Sequence, residues 1–502
     1  MQKKLFLKNT LILTFTALLL RSIGIFFRIY LSNIIGAEGM GIYQLIFCVY
    51  TLMCVLVSGG FNISATKLVA AKPGCRKNIM NLCFKMCLLI SLFFCILFFI
   101  FSDITAQKCI GYSYASKCIK ILNAGLVFVS LSSCIKGYFT AVRKVSVCSN
   151  SQLFEQSIRM GLVFILLSKM RSGDIYGCCC AVVFANAASE LAAFLFLYIS
   201  YKKDVRSIKG AQPDKSVFKD FSHIFLPVTV SSYVNTALHT AENLIVPDAV
   251  FKHTLNRTLS VSLFGMIKGM AIPVIFFPAS FLSAVSTLLL PEISQMNENN
   301  NTKSINKTLS ITIHITIALS VGIAAVFFIC AYDISDILYH DRTVGLFLRM
   351  LSPVIPFMYV ESIIAGTLSA LDLHIASMRF NIYNSIIRIA AILTFVPAFG
   401  INAFIYIMIA SNVFTSSINF IWIKKRADFK INMSNFFIKP VFAAACACFC
   451  SSFAPAPDLP AFLYVAYRGA LVFSFYILLL ILFKTFDFNS ISIIKKRFSA
   501  AR

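Results

Sequence analysis

The sequence predicts an all-α polytopic membrane protein of about 14 transmembrane helices, two six-helix lobes around a central cavity plus two C-terminal helices, with both termini cytoplasmic. Three observations lead there. Hydrophobic residues make up 59% of the 502-residue chain and charged residues only 13%, against ~25% charge in a soluble globular chain, and the mean hydropathy is +0.83. Apolar runs of about 20 residues, the length a helix needs to cross ~30 Å of hydrocarbon, recur from one end to the other. Lysine and arginine concentrate in alternate connections between those runs.

Taken in order, the apolar stretches fall near 11–31, 42–66, 82–102, 118–140, 150–168, 176–200, 221–246, 260–289, 308–331, 346–370, 376–397, 401–423, 437–453 and 461–483. Backbone polar groups must be satisfied inside a bilayer, so such runs are read as helices. The second and eighth are long enough to tilt or protrude. The thirteenth is short and rich in alanine and cysteine. Fifty phenylalanines against one tryptophan suit a lipid-facing surface, while Tyr30, Tyr43, Tyr112 and Tyr114 fall where interfacial anchors belong.

With a cytoplasmic N-terminus, the even-numbered connections and both tails hold 26 basic residues, the opposite side seven, and the predicted helices the remaining twelve of the 45. That asymmetry sets the orientation. The net charge of +25 is spread over short loops rather than gathered on one face, which argues against nucleic acid and for anionic membrane lipids as the partner. The longest cytoplasmic connection divides the chain into an N-terminal lobe (1–200), a linker (201–220), a C-terminal lobe (221–430) and a final helix pair with a basic tail (431–502). Two halves starting on the same side form a parallel repeat, with the substrate path between them.

The 17 cysteines lie mostly within apolar runs, where a thiol behaves as a small hydrophobe. No spacing pairs them with histidine in a zinc pattern, so neither a metal nor a disulfide framework is expected. The N-terminal apolar segment is too long for a signal peptide, lacks a cleavage site, and contains two arginines. No phosphate-binding glycine loop occurs, so ATP hydrolysis is not the driving force.

Charged residues at membrane depth are costly, roughly 2.5–3.5 kcal/mol on insertion scales, and persist where they face water or a partner. The basic candidates are Arg21, Arg28, Lys67, Lys136 and Lys268, and they favour an anionic headgroup. Arginine in particular grips phosphate oxygens with two parallel bonds. Glu155, Glu190, Glu242 and Glu361 are acidic candidates, for coupling protons or for neutralising an empty cavity, and Arg388 lies in the eleventh stretch. Glu155 and Arg159, spaced i,i+4, pair on one helical face either to order that helix or to serve transport. Lys67 has the alternative of snorkelling to the interface. Gly24, Gly36, Gly39 and Gly41, with Gly269, Pro273 and Pro278, are the expected hinges; ordinary membrane-helix packing is the other reading of them.

The run Arg21-xx-Gly24-xxx-Arg28, followed by Ile35-Gly36-Ala37-Glu38-Gly39-Met40-Gly41-Ile42-Tyr43-Gln44, resembles the opening of the stage V sporulation protein B family, a branch of the multidrug/oligosaccharidyl-lipid/polysaccharide flippase superfamily. Further similar segments are Ser64 to Ala70, Lys136-Gly137-Tyr138-Phe139, Glu155 to Arg159, Gly269 to Pro273, Phe277-Pro278, Leu290 to Ser294 and Pro353 to Tyr359. The likeness therefore runs in order along nearly the whole chain. Asn62 departs from it, standing where a proline is usual, and Lys136 stands where an arginine is common.

The resemblance implies a cofactor-free carrier in the bacterial cytoplasmic membrane, or a forespore membrane during sporulation. By alternating access it would move an undecaprenyl-diphosphate-linked saccharide, a lipid II-like precursor of cell-wall or spore-cortex peptidoglycan, with cell-wall synthesis machinery as a partner. By the same likeness Arg21 matches an arginine that lines the central cavity of lipid II flippases, and Arg28 sits one residue later than their second arginine. The alternatives are a flippase for another polyprenyl-linked polysaccharide unit and a cation-coupled drug exporter of the same superfamily. A membrane-embedded enzyme would start from Asp333, Asp336, His340 and Asp341 in the loop after the ninth stretch, where a solvated loop is the plainer reading. No catalytic residue is expected.

Overall fold

The computed structural model describes residues 2–170, 174–206, 217–298, 302–371, 374–427, 434–453, 455, 457, 459–483 and 485. The linker between 207 and 216 and the basic tail beyond 485 lie outside the described residues, as do the side chains of the Leu290 to Ser294 segment apart from Ile293. Among the described residues there is no strand, and each of the expected apolar stretches is helical over all or nearly all of its length. Ten helical segments are long and apolar enough to span a membrane. Two of them, 14–71 and 379–424, each hold two of the expected stretches joined across a glycine. The fifth and seventh stretches are helical but too polar to count among the ten.

The helices are α1 (Gln2–Ser58), α2 (Phe61–Ala71), α3 (Arg76–Ile104), α4 (Ala115–Ala141), α5 (Val145–Leu167), α6 (Ile175–Val205), α7 (Val217–Thr254), α8 (Arg257–Gly265), α9 (Ile272–Glu298), α10 (Thr302–Tyr339), α11 (Arg342–Leu351), α12 (Ile355–Ala370), α13 (His374–Ala427), α14 (Lys439–Ser452) and α15 (Ala461–Leu482). They form two compact units. The first comprises residues 1–265 and 385–400, the second 266–384 and 401–502.

In the first unit, α1 turns at Gly36, whose φ of 69° and ψ of −175° lie outside the helical region. A residue with a Cβ is disfavoured at such a φ, so the glycine permits the turn. Beyond it, α1 meets α8 backbone to backbone: a Cβ on Gly41 would stand 2.1 Å from the Val261 carbonyl oxygen, and one on Gly265 2.4 Å from that of Ala37. The core between α2, α3, α4, α6 and α7 is built on Phe61, Ile79, Tyr138, Phe139 and Phe221, with the Phe61 and Phe225 rings 4.7 Å apart. Where α1 ends, the Thr229 hydroxyl donates to the Gly59 carbonyl (2.9 Å) and the Tyr233 hydroxyl to that of Leu56 (2.5 Å). Side-chain hydroxyls thus replace water at freed carbonyls. The outward side of α3 exposes Phe93, Ile96, Phe99 and Ile100, a face suited to lipid tails.

The second unit packs α10 against α11, α12, α14 and α15, and α9 against α12, around Ile313, Ile317, Ile364 and Tyr476. The Tyr476 hydroxyl donates to the Ala318 carbonyl at 2.8 Å. A π-helical turn, Met266–Ala271, precedes α9 and contains Lys268 and Gly269, while Pro273 falls in the first turn of α9 and Pro278 in its second. Irregular turns free carbonyls, and here the Tyr339 hydroxyl reaches that of Met270 (3.2 Å) and the Tyr359 hydroxyl that of Ile275 (2.6 Å).

Candidate functional site

The candidate site begins on α1. Arg21, Gly24 and Arg28 fall at i, i+3 and i+7, so they run along one side of the helix. Arg21 is exposed and Arg28 half-buried, and a Cβ built on Gly24 meets no neighbour within 4 Å. The stripe therefore borders open space between its two guanidinium-bearing positions. Both Arg28 and Arg159 lie within electrostatic reach of the buried Tyr43 phenol, so the stripe approaches α5.

One residue before Arg21, Leu20 lines a cavity of about 370 Å³ inside the first unit. From α4 come Val129, Ser132, Ser133 and Lys136, and from α5 Gln152, Glu155 and Gln156. Asn62 on α2 and Glu190 on α6 complete the wall. Only Leu20 and Val129 are apolar. Helical spacing explains the convergence: Ser132, Ser133 and Lys136 share one side of α4, and Gln152, Glu155, Gln156 and Arg159 share one side of α5. Thr66 on α2 donates to the Gly137 carbonyl at 3.1 Å, which holds α2, and Asn62 one turn before it, against α4.

Charge in this cavity is balanced rather than basic. Glu155 is ion-paired with Arg159, and Glu190 lies within electrostatic reach of Glu155, Arg159 and Lys136. Two cations thus face two carboxylates. The Ser132 hydroxyl, in a residue 2% exposed, makes no hydrogen bond among the described residues.

The other expected residues lie elsewhere. Glu242 on α7 is 3% exposed and forms an ion pair of 2.6 Å with Arg388 on α13, with His239 Nδ1 at 3.9 Å from the same oxygen. Lys67 is exposed near the end of α2. Lys268, in the second unit, lies over the Phe404 ring, 5.6 Å from its centroid, and Glu361 is half-buried in α12 of that unit. Gly39 and Gly41 are helical; among the glycines of that segment only Gly36 has a positive φ. The acidic group expected in a loop is mostly helical: Asp333 and Asp336 lie in the last two turns of α10, and only His340 and Asp341 fall in the turn before α11. Structural contacts account for the carboxylates. Asp341 caps α11 through the Thr343 N–H (2.7 Å), Asp336 faces Arg342 (3.5 Å), and Asp333 faces Arg468 (3.9 Å). Among the described residues no group of histidine, cysteine and carboxylate side chains is arranged to hold a metal ion.

Sequence reasoning singled out Lys136, Glu190 and the Glu155–Arg159 pair separately, and the structure brings them together. It passed over Asn62 as a site residue, and also Ser132, Ser133, Gln152 and Gln156. The signal for the last two was present, since glutamines at i and i+4 flank Glu155 in the polar first half of the fifth stretch.

Helices with lipid-facing aromatic sides, a basic stripe on the first of them and a polar, charge-paired cavity beside it define a multi-pass membrane transporter. The fold is similar to those of several solved membrane proteins, of which two illustrate the likeness. One is the lipid II flippase MurJ in an inward closed conformation (TM-score 0.72, 16% identity, covering 92% of this chain and 97% of that one). The other is a multidrug resistance MATE family transporter in an inward-facing conformation (TM-score 0.65, 13% identity, covering 82% and 94%). Residues 6–297 match the polysaccharide biosynthesis protein family, and the chain belongs to it. Stage V sporulation protein B of Bacillus subtilis (strain 168) is 24% identical over 415 residues, 80% of each chain.

Proposed function

We propose that this transporter is a flippase that moves an undecaprenyl-diphosphate-linked saccharide, a lipid II-like cell-wall or spore-cortex precursor, across the membrane by alternating access. The observation that carries the reading is the Arg21-Gly24-Arg28 stripe bordering open space on α1, immediately beside a cavity that is polar on eight of its ten lining residues. A diphosphate needs cations that chelate its oxygens, and arginine supplies them in a planar fork. Gly24 leaves room for the phosphates to lie against the helix between the two arginines. The prenyl chain stays in lipid, and exchange between conformations open to either side carries the headgroup across.

The names of the relatives, a sporulation protein and a lipid II flippase, agree with this reading. A drug exporter is disfavoured, because drug sites are lined predominantly by apolar and aromatic side chains, and this cavity has only Leu20 and Val129. The test is translocation of labelled lipid II in proteoliposomes, comparing the wild type with Arg21→Ala. Transport that falls at least tenfold in a correctly folded variant supports the reading. A folded wild type that moves neither lipid II nor undecaprenyl diphosphate linked to other sugars overturns it.

A further inference from the structure

Resting on the flippase reading, we propose that the cavity between α2, α4, α5 and α6 is a saccharide subsite. It takes an uncharged, hydroxyl- or amide-bearing sugar of the lipid-linked substrate and selects which sugars pass, while the diphosphate remains outside on the α1 stripe.

The charge balance separates the two parts of the headgroup. Arg159 is already held by Glu155, and Lys136 faces Glu190, so a polyanion entering the cavity meets acidic side chains beside every basic one. A sugar asks for something else: acceptors for its hydroxyl and amide protons, and donors for its oxygens. Glu190 accepts, Lys136 donates, and the Gln156 amide does both. Ser133, Gln152 and Asn62 add further hydroxyl and amide groups to the same wall, so α2, α4, α5 and α6 each offer a side chain that can hydrogen-bond a sugar.

Size agrees with charge. At about 370 Å³ the cavity lies at the small end of ligand sites, ~300–1,000 Å³. It is large enough for a sugar but not for a sugar with its diphosphate and tail. The position agrees as well, since Leu20 lines the cavity and Gly24, four residues on and on the same side of α1, belongs to the stripe, so a sugar in the cavity and its diphosphate on α1 follow one another along the helix.

The experiment is equilibrium binding to the full-length protein in nanodiscs, measured for undecaprenyl diphosphate and for the same lipid carrying an N-acetylhexosamine disaccharide. Wild type, Arg21→Ala, Ser132→Leu and Gln156→Ala are compared. The disaccharide should tighten wild-type binding at least tenfold over the bare lipid. Ser132→Leu, which fills the cavity, should abolish that gain and leave bare-lipid binding unchanged. Gln156→Ala, which adds no bulk and so guards against misfolding of the leucine variant, should reduce the gain about fivefold, the worth of roughly one hydrogen bond. Arg21→Ala should weaken both ligands equally. If the sugar adds nothing to the wild type, or the gain survives both cavity variants, the subsite is wrong while the flippase reading stands. If neither lipid binds the wild type, both are overturned.

Discussion

The carboxylate of Glu242 and the guanidinium of Arg388 lie 2.6 Å apart, joining α7 to α13 within the first unit, with the glutamate 3% and the arginine 15% exposed. Both groups are largely withdrawn from solvent, and each is the other's compensation. A fixed guanidinium at this distance makes Glu242 a structural anchor, because a proton or cation binding there must first displace Arg388. Removing one member of a buried pair leaves an uncompensated charge and costs about 3–5 kcal/mol, whereas removing both is often near neutral. Glu242→Ala and Arg388→Ala should therefore each lower the melting temperature in detergent sharply, and the double variant should recover most of the loss. Additive losses in the double-mutant cycle would show that the pair is not coupled.

Gly24 and Gly36 stand on the same helix and should respond in opposite ways. Gly24 lies in regular helix with open space where a Cβ would go, while Gly36 has a φ of 69°. Gly24→Ala should leave stability unchanged or raise it by about 0.5–1 kcal/mol through helix propensity. Gly24→Leu should be equally well folded but lose substrate binding, since the side chain occupies the gap between Arg21 and Arg28. Gly36→Ala should cost about 1–3 kcal/mol, because a φ of 69° with a ψ of −175° lies in a region essentially confined to glycine. Thermal melts paired with lipid binding separate the three; a Gly24→Leu protein that binds normally would falsify the role given to the stripe.

Those two glycines also mark what the amino-acid order makes legible. Membrane helices are written in local composition, so the spans and the helical class can be read directly, and the stripe at 21, 24 and 28 is visible because it is local too. Gly36, Gly39 and Gly41 look alike in sequence, and only the backbone path decides that the first turns the chain while the last abuts Val261. The pairing of Glu242 with Arg388 is farther still from local pattern, since the partners come from helices far apart in the chain. The cavity lies between these cases. Its α4 and α5 walls are local polar stripes, but that Glu190 and Asn62 complete them is a fact of packing. A basic cavity was the natural expectation from the lysines and arginines; the pairing of Glu155 with Arg159 is local and legible, but that Lys136 and Glu190 join them from other helices is tertiary.

The meeting of α1 and α8 gives a steric prediction. A Cβ on Gly265 would stand 2.4 Å from the Ala37 carbonyl oxygen and 2.5 Å from the Gly41 nitrogen, all of it backbone that cannot swing away. Gly265→Ala and Gly41→Ala should each destabilise by about 1–3 kcal/mol, the usual range for overpacking. Gly161→Ala is the control, because nothing lies within 4 Å of its added Cβ. Equal melting temperatures for all three variants would mean that the two helices do not touch as described.

Tyr112, in the turn before α4, donates its hydroxyl to Glu38 Oε1 at 3.1 Å, tying that turn to α1 just after its bend. Burial, and then the neighbouring Glu38 carboxylate, push the phenol up to about 12, above the ordinary value of ~10. A raised value means that the folded state holds the proton more tightly than the unfolded chain. The stabilisation is then complete below about pH 10, and is lost as the pH climbs through 10 towards 12. Wild type should accordingly lose thermal stability over that window more steeply than Tyr112→Phe, which has no proton to release there. Below pH 9 the phenylalanine variant should be less stable by about 0.5–1.5 kcal/mol, the net value of one hydrogen bond. Melting temperatures of the two proteins measured from pH 7 to 12 decide it: parallel curves would remove Tyr112 as the titrating group, and converging curves identify its bond to Glu38 as the contact that fails.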